Sequence, residues 1–347
     1  GAEHGGQSLF IGSDNRTKYE YHEPDYKDIE ELTEEMKTKI QNTVYALENQ
    51  LSTPRPHTGE LFDLYGFIDY AILQDLALNR EGFSRSQYWY FDTDSPQPKV
   101  YMGPVWDFNH AYGGFDSIYD KNTILEYSFG QPQFWLNFWG VEAGQIDTAE
   151  DIGYAQEITE RYESLRTNIL SIRNIMDYID KTYILFSNNK AAERDFLRWY
   201  RFGRTFDEEI IYFKNWILNR IRNRDNTFIQ IGTATQETIR ETRFYETIYP
   251  INNQTFDANQ TTEIPIVYQS NIDGLLEIRD RLTQEVVDSF SVDSENVFDK
   301  SYTFDLKNKF KSDLIKEYEL SFISTGGLIT YQANNIYFSI VDVAKQE

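Results

Sequence analysis

From residue 29 to 51 apolar side chains recur at intervals of three and four, through Ile29, Leu32, Met36, Ile40, Val44, Leu47 and Leu51. That spacing predicts one amphipathic helix. In the next segment, "STPRPHTGE", two prolines and a glycine break the pattern into a loop, after which Asp63 can cap a second helix. Its apolar side carries Leu64, Phe67, Ile68, Ala71, Ile72 and Leu76, and Gly82 sets its end near Asn79. Helical spacing returns over 154–182 and over 206–224, the latter through Phe206, Ile210, Phe213, Ile217, Leu218 and Ile221, with "AAERDFLRWYRFG" as a shorter helix between them.

Two regions follow another rule. "SQYWYF" and "KVYMG" are aromatic and β-branched runs joined by the turn-rich "DTDSPQP", which predicts a β-hairpin. Beyond about residue 233 the helical pattern stops. "EIPIVYQS", "LLEIRD", "EVVDSFSV", "SYTFDL", "YELSFIS", "GLITYQ" and "IYFSIVDV" then succeed one another between Asn, Asp and Gly, the rhythm of an antiparallel sandwich. The expected architecture is α+β over residues 1–232, followed by an immunoglobulin-like or fibronectin-like β-sandwich over 233–347. No internal repeat or low-complexity tract interrupts it.

Composition narrows the function classes. A chain of 347 residues with 40% hydrophobic residues is globular and long enough for about two domains. A net charge of -23 without a dense Lys/Arg cluster opposes binding to a nucleic-acid backbone. With 0 cysteines there is no disulfide, thiolate metal site or cysteine nucleophile. No apolar run reaches the roughly 20 residues of a membrane helix, and "GAEHGGQSLF" lacks the basic and apolar regions of an export signal. The aromatic share of 16% suits β-rich packing or a sugar-binding surface. A glycan-binding sandwich predicts that Tyr268, Tyr302 and Tyr331 are exposed together.

The candidate chemistry centres on "KVYMGPVWDFNHAYGG". In an extended segment Asp107 and Asn109, two residues apart, leave the same face and can share one hard cation, while Gly113 and Gly114 allow close backbone approach. Equally, Asp107 can cap a turn with Asn109 in a left-handed position. Upstream, "DLALNREGFSRSQY" places Asp75 and Asn79 one helical turn apart with Glu81 just beyond. These are either capping groups or an acid and a carboxamide that accept a substrate hydroxyl proton and bind a second metal. Ser84, Arg85 and Ser86 read as a polar strand entry close by. His4, His22, His57 and His110 have no zinc spacing, and neither a Gly-x-Ser-x-Gly elbow nor a Walker loop occurs.

Taken in order, several stretches resemble the CotH kinase family, named for a spore-coat protein: "EPDYKDIEELTEEMKTKIQNTVYALENQL", "FIDYAILQDLALNREGFSRSQYWYF", "KVYMGPVWDFNHAYG", "RYESLRTNIL", "AAERDFLRW" and "WILNRIRNRDN". The most specific is the third, which is similar to the family's Gly-Pro-x-Trp-Asp-x-Asp segment. The similarity runs from about residue 6 to 228. It implies an atypical kinase fold, of which the chain would hold the larger lobe, using ATP and Mg²⁺ to phosphorylate Ser or Thr of coat or surface proteins at the bacterial spore coat or cell surface. Residue by residue, Asp107 matches the metal-binding Asp, with Asn109 beside it as a second metal ligand. Asn79 matches the Asn of the family's Asn-x-Asp-Gly turn, a cofactor-binding place it shares with Asp107. Glu81 falls on that turn's catalytic Asp. Glu81 is one methylene longer than that Asp, Asn109 replaces an acid, and Asp75 stands where the family often has Glu. The family's phosphate-binding Lys lies in a stretch before "GGQSLFIGSD", so this chain alone is expected to fall short of full catalysis. The alternative is a non-catalytic surface or spore-coat protein whose sandwich binds protein or glycan.

Overall fold

The structure is a computed structural model that describes residues 9–13, 17–21, 32–51, 61–84, 86–91, 94–96, 98–113, 133–139, 141–142, 145–146, 154–199, 205–230, 245–270, 272–293, 300–306, 315–324 and 335–341. Two compact units divide the chain, residues 1–167 with 219–235 and residues 168–218 with 236–347. The change from helices to strands near 233 is a division by chain order. The units divide differently, because residues 168–218 group with the strands.

In the first unit β1 (Leu9–Ile11) pairs antiparallel with β2 (Lys18–Glu20). Helix α1 (Glu34–Leu51) starts where the Thr33 hydroxyl accepts from the Met36 N–H at 3.2 Å, with Glu34 and Glu35 favouring the positive end of its dipole. Buried Val44 joins Phe10, Tyr21 and Leu32 in a small core against the hairpin. Helix α2 (Leu64–Ala77) has Asp63 at its N-cap, as expected, but the carboxylate makes no capping hydrogen bond. Nor is α2 one-sided: Tyr70, Gln74 and Asp75 are buried along with Phe67, Ile68, Ala71, Ile72 and Leu76. It is the central helix of its unit. A 3₁₀ turn (Arg80–Phe83) leads to β3 (Trp89–Tyr90), paired antiparallel with β4 (Tyr101–Met102) as the expected hairpin. Just before β4, the Val100 carbonyl accepts from the Asp63 N–H and the Val100 N–H donates to the Leu61 carbonyl, both at 2.8 Å. The hairpin is thereby pinned to the start of α2. Helix α3 (Gln133–Trp139) adds Phe134, Trp135 and Phe138 to an aromatic core with Phe62, Phe67 and Tyr154. A two-residue pair, β5 (Val141–Glu142) with β6 (Gln145–Ile146), precedes α4 (Ala155–Arg166).

In the second unit Ser171 caps α5 (Ile172–Asn188), and α6 (Ala191–Trp199) follows. At the start of α7 (Phe206–Gln230), Thr205 and Glu208 form a reciprocal capping box: the Glu208 N–H donates to Thr205 Oγ1 at 3.3 Å, and Glu208 Oε2 accepts from the Thr205 N–H at 2.7 Å. Residues of α7 up to Leu218 belong to this unit, those from Asn219 to the first. In the first unit Arg166 of α4 holds Asp225 of α7, Nε to Oδ1 at 2.9 Å, and Tyr162 donates to the same oxygen at 2.7 Å.

The strands are β7 (Tyr245–Tyr249), β8 (Gln254–Asp257), β9 (Glu263–Ser270), β10 (Gly274–Asp280), β11 (Val286–Val292), β12 (Lys300–Asp305), β13 (Ile315–Ser324) and β14 (Ile336–Val341). One sheet runs β11-β10-β13-β14-β8, all antiparallel except β14 with β8; the other runs β12-β9-β7, antiparallel. Alternating residues of both share one core, including Ile264, Ile266 and Phe304 of the smaller sheet and Leu276, Ile278, Tyr318 and Phe338 of the larger. Helices complete it: Tyr183 and Ile184 of α5 and Phe206, Ile210 and Ile211 of α7 pack into the same core. Mixed helices with several antiparallel sheets are thus an α+β arrangement. The expected strand "GLITYQ" lies outside the described residues, as does Tyr331. Tyr268 is buried, and Tyr302 is half-buried, stacked on Phe290 at 4.0 Å with its hydroxyl on Asp288, so the two are not exposed together. Among the described residues no helix is long and apolar enough to cross a membrane.

Packing is close at Gly274, where a Cβ would lie 2.3 Å from the Phe322 ring and 2.7 Å from the Ile323 carbonyl oxygen. Because the β10–β13 ladder fixes the backbone and stacking on Tyr245 holds the buried Phe322 ring, Gly274→Ala is expected to destabilise by about 1–3 kcal/mol. The urea midpoint of the full chain measures it; an unchanged midpoint would show that the ladder yields.

Candidate functional site

The site is built within the first unit where α2 stops. Leu78 takes a left-handed conformation, φ 53, and its N–H donates to the Asp75 carbonyl at 2.9 Å, while the Asn79 N–H reaches back to the Gln74 carbonyl at 2.9 Å. This pair of bonds is a Schellman ending, with leucine where glycine is usual. Burial of the Leu78 side chain opposes the backbone strain. The last turn is held from outside as well. Arg220, fully buried, donates through Nε to the Asp75 carbonyl at 3.2 Å and through Nη2 to its carboxylate at 3.2 Å; Arg224 adds a contact at 3.4 Å. Burial, opposed by the Asp75 charge and reinforced by Arg224, lowers the Arg220 pKa from its ordinary value. Asp75 is therefore committed to two guanidinium groups, and the reading of it as a proton acceptor at a helix mouth gives way to an ion-pair role.

Asn79 opens the 3₁₀ turn and is 0% exposed. Its Nδ2 donates to the backbone carbonyl of Asp107 at 3.1 Å, which fixes the amide orientation and leaves Oδ1 buried without a hydrogen-bond partner. Such an orphaned acceptor costs about 1–3 kcal/mol. Glu81 lies in the turn with its side chain half-buried, and its carbonyl accepts from the N–H groups of Ser84 at 3.1 Å and Ser86 at 2.8 Å. Ser86 is 7% exposed; the Tyr70 hydroxyl, which donates to Gly82 O at 2.7 Å, lies 3.4 Å from Ser86 O. Ser86 Oγ donates to Asp107 Oδ2 at 3.0 Å. Three residues of the 79–86 loop thus converge on Asp107: Asn79 on its backbone, Ser86 on its carboxylate, and Glu81 holding Ser86.

Asp107 itself departs from expectation. Its φ is 63, so the segment is not extended there, and the left-handed residue is Asp107 rather than Asn109. Strand alternation therefore does not place the Asp107 and Asn109 side chains on one face. Asn109 is exposed in a turn with His110, and the hydrogen bonds that reach Asp107 come from Asn79 and Ser86 instead. Tyr112 and Gly113, also at positive φ, carry the chain back, the Tyr112 N–H closing on the Ala77 carbonyl at 2.7 Å. Gly114 lies outside the described residues, as do His4, His22, His57 and Arg85. Val105 and Trp106, beside Asp107, are exposed. Ser86, expected only as part of a polar strand entry, is brought into the site by its hydrogen bond to Asp107.

Among the described residues no three of His, Cys, Asp and Glu converge to hold a metal ion. A cation here would rest on one carboxylate and neutral oxygens, a donor set that suits Mg²⁺ completed by water and phosphate. The orphaned Asn79 Oδ1 and the Asp107 Oδ1 left out of the Ser86 bond are oxygens of that kind.

A family model described as "CotH kinase protein" matches residues 7–224. No curated protein matches. A solved structure described as an engineered protein is similar at 7% identity and a TM-score of 0.21, over 35% of this chain and 27% of its own, a likeness too slight to bear on fold or function.

Proposed function

The chain belongs to the CotH kinase family, and from that premise we propose that its first unit binds ATP with Mg²⁺ for transfer of a phosphoryl group to a Ser or Thr hydroxyl. The acceptor would be a spore-coat or surface protein, in keeping with the family resemblance. What supports the reading is one observation, the junction of the 79–86 loop to Asp107 through Asn79 and Ser86. Asp107 would hold the cation by its carboxylate, with Asn79 at the nucleotide through the same junction; Asn109, exposed, would reach the ion only by a change of the turn. The ion's contribution is to neutralise charge on the phosphates. Glu81 would accept the acceptor proton as the hydroxyl oxygen bonds to the γ-phosphorus and the bond to the ADP oxygen breaks. In this reading residues 1–232 form a kinase-like large lobe, and the two sheets of the second unit an immunoglobulin-like or fibronectin-like sandwich.

Calorimetry of the full chain with ATP tests the proposal: heat of binding with Mg²⁺ and none with EDTA supports it, and equal heats or none sink it. The length of Glu81 gives a second expectation. A displacement near 1 Å can cost a base as much as 10²-fold, so Glu81→Asp is expected to raise ATP turnover by about tenfold with unchanged ATP affinity. Slower turnover would mean that the longer carboxylate is the one this site is built around.

A further inference from the structure

Ser86 lies five residues after Glu81. In phosphotransfer catalytic loops of the H-R-D-x-x-x-x-N kind, that spacing from the acid sets an Asn whose carboxamide oxygen holds a second cation. Here the position carries a hydroxyl, and its proton is already committed, Oγ donating to Asp107 Oδ2 at 3.0 Å. The backbone leaves it little freedom: the Ser86 N–H is bound to Glu81 O at 2.8 Å and the residue is 7% exposed. One oxygen of the Asp107 carboxylate is thus satisfied by a neutral donor. Charge points the same way. Two divalent cations bring four positive charges, whereas no cluster of three metal-binding side chains exists among the described residues and position 109 is a neutral Asn.

We propose that this site takes a single divalent cation, with Ser86 as the positioning residue whose hydrogen bond to Asp107 stands in place of a second ion. The inference rests on the nucleotide-binding reading above. Ser86 holds Asp107 Oδ2, so Asp107 Oδ1 and the orphaned Oδ1 of Asn79 would be among the protein oxygens for the ion. Outer hydrogen-bond partners of this sort typically contribute 10- to 100-fold to metal affinity.

The test counts Mn²⁺ retained by the full chain with a saturating non-hydrolysable ATP analogue, read by electron paramagnetic resonance against the nucleotide alone. One Mn²⁺ per chain is expected. Ser86→Ala should keep that stoichiometry with affinity about tenfold weaker, Ser86→Thr should restore the affinity, and Ser86→Asn should admit a second ion. Two Mn²⁺ in the parent chain would overturn the single-ion site while leaving the nucleotide reading standing; none would overturn both. Unchanged affinity in a folded Ser86→Ala, or one ion in Ser86→Asn, would remove Ser86 from the role.

Discussion

Asp107→Asn is expected to weaken Mg²⁺-dependent ATP binding by at least about 100-fold while the unfolding free energy in urea stays within about 1 kcal/mol of the parent. The loss follows from removing the one charged ligand of a site whose other oxygens are neutral. The small effect on stability follows from the backbone. At φ 63, Asp107 is in a region that Asn tolerates well, and the Asn79 bond to its carbonyl does not involve the side chain. Ser86 can still donate to the carboxamide oxygen. Asp107→Ala is the poorer probe, because alanine in a left-handed conformation costs about 1 kcal/mol or more and mixes strain with the loss of a ligand. Calorimetry beside urea unfolding separates the two quantities, and unchanged affinity would remove Asp107 from the metal.

Asp75→Leu is expected to destabilise the chain by about 3–5 kcal/mol, because it leaves the guanidinium groups of Arg220 and Arg224 buried without their carboxylate. Both side chains are essentially inaccessible, at 0% and 1%. Replacing all three, Asp75→Leu with Arg220→Met and Arg224→Met, should recover much of the loss, since a well-packed apolar group often matches a buried ion pair. A loss below about 1 kcal/mol for the single variant would show that the arginines find other partners. The triple variant should still bind nucleotide less well than the parent: Arg220 also holds the Asp75 carbonyl in the turn that delivers Asn79 to the site.

Elements governed by local chemistry were legible in the sequence. "EIPIVYQS" is β9 to the residue, and the apolar spacing from Phe206 marks α7. The spacing through Leu32 to Leu51 marks α1, although a Thr33 cap starts the helix at Glu34. What escaped was set by partners distant in the chain. Nothing near Asp75 says that it meets arginines 145 and 149 positions away, so α2 read as amphipathic when it is buried on several sides. Strands β7 and β8 were not singled out, because "YETIY" and "QTFD" are short and half polar. At the candidate site, sequence order pointed to Asn79, Glu81 and Asp107, whose loops the structure joins, but not to the left-handed turn at Asp107 that replaces strand alternation by contacts from another loop. A serine signals almost nothing by itself; Ser86 became visible only through the carboxylate it touches.

The chain passes from one compact unit to the other after residues 167, 218 and 235, so neither unit is a single continuous stretch. During synthesis this imposes an order. The apolar faces of α5 and α7, with Tyr183, Ile184, Phe206, Ile210 and Ile211, emerge before every strand that covers them, the last of which ends at Val341. For more than 100 residues of translation they have no native partner, and such surface is prone to aggregation. A protein stopped near residue 232 would keep that exposure permanently. The second unit is thus a late-closing lid on its own helices, and release of a soluble N-terminal piece by proteolysis near 233 is disfavoured by the same apolar residues.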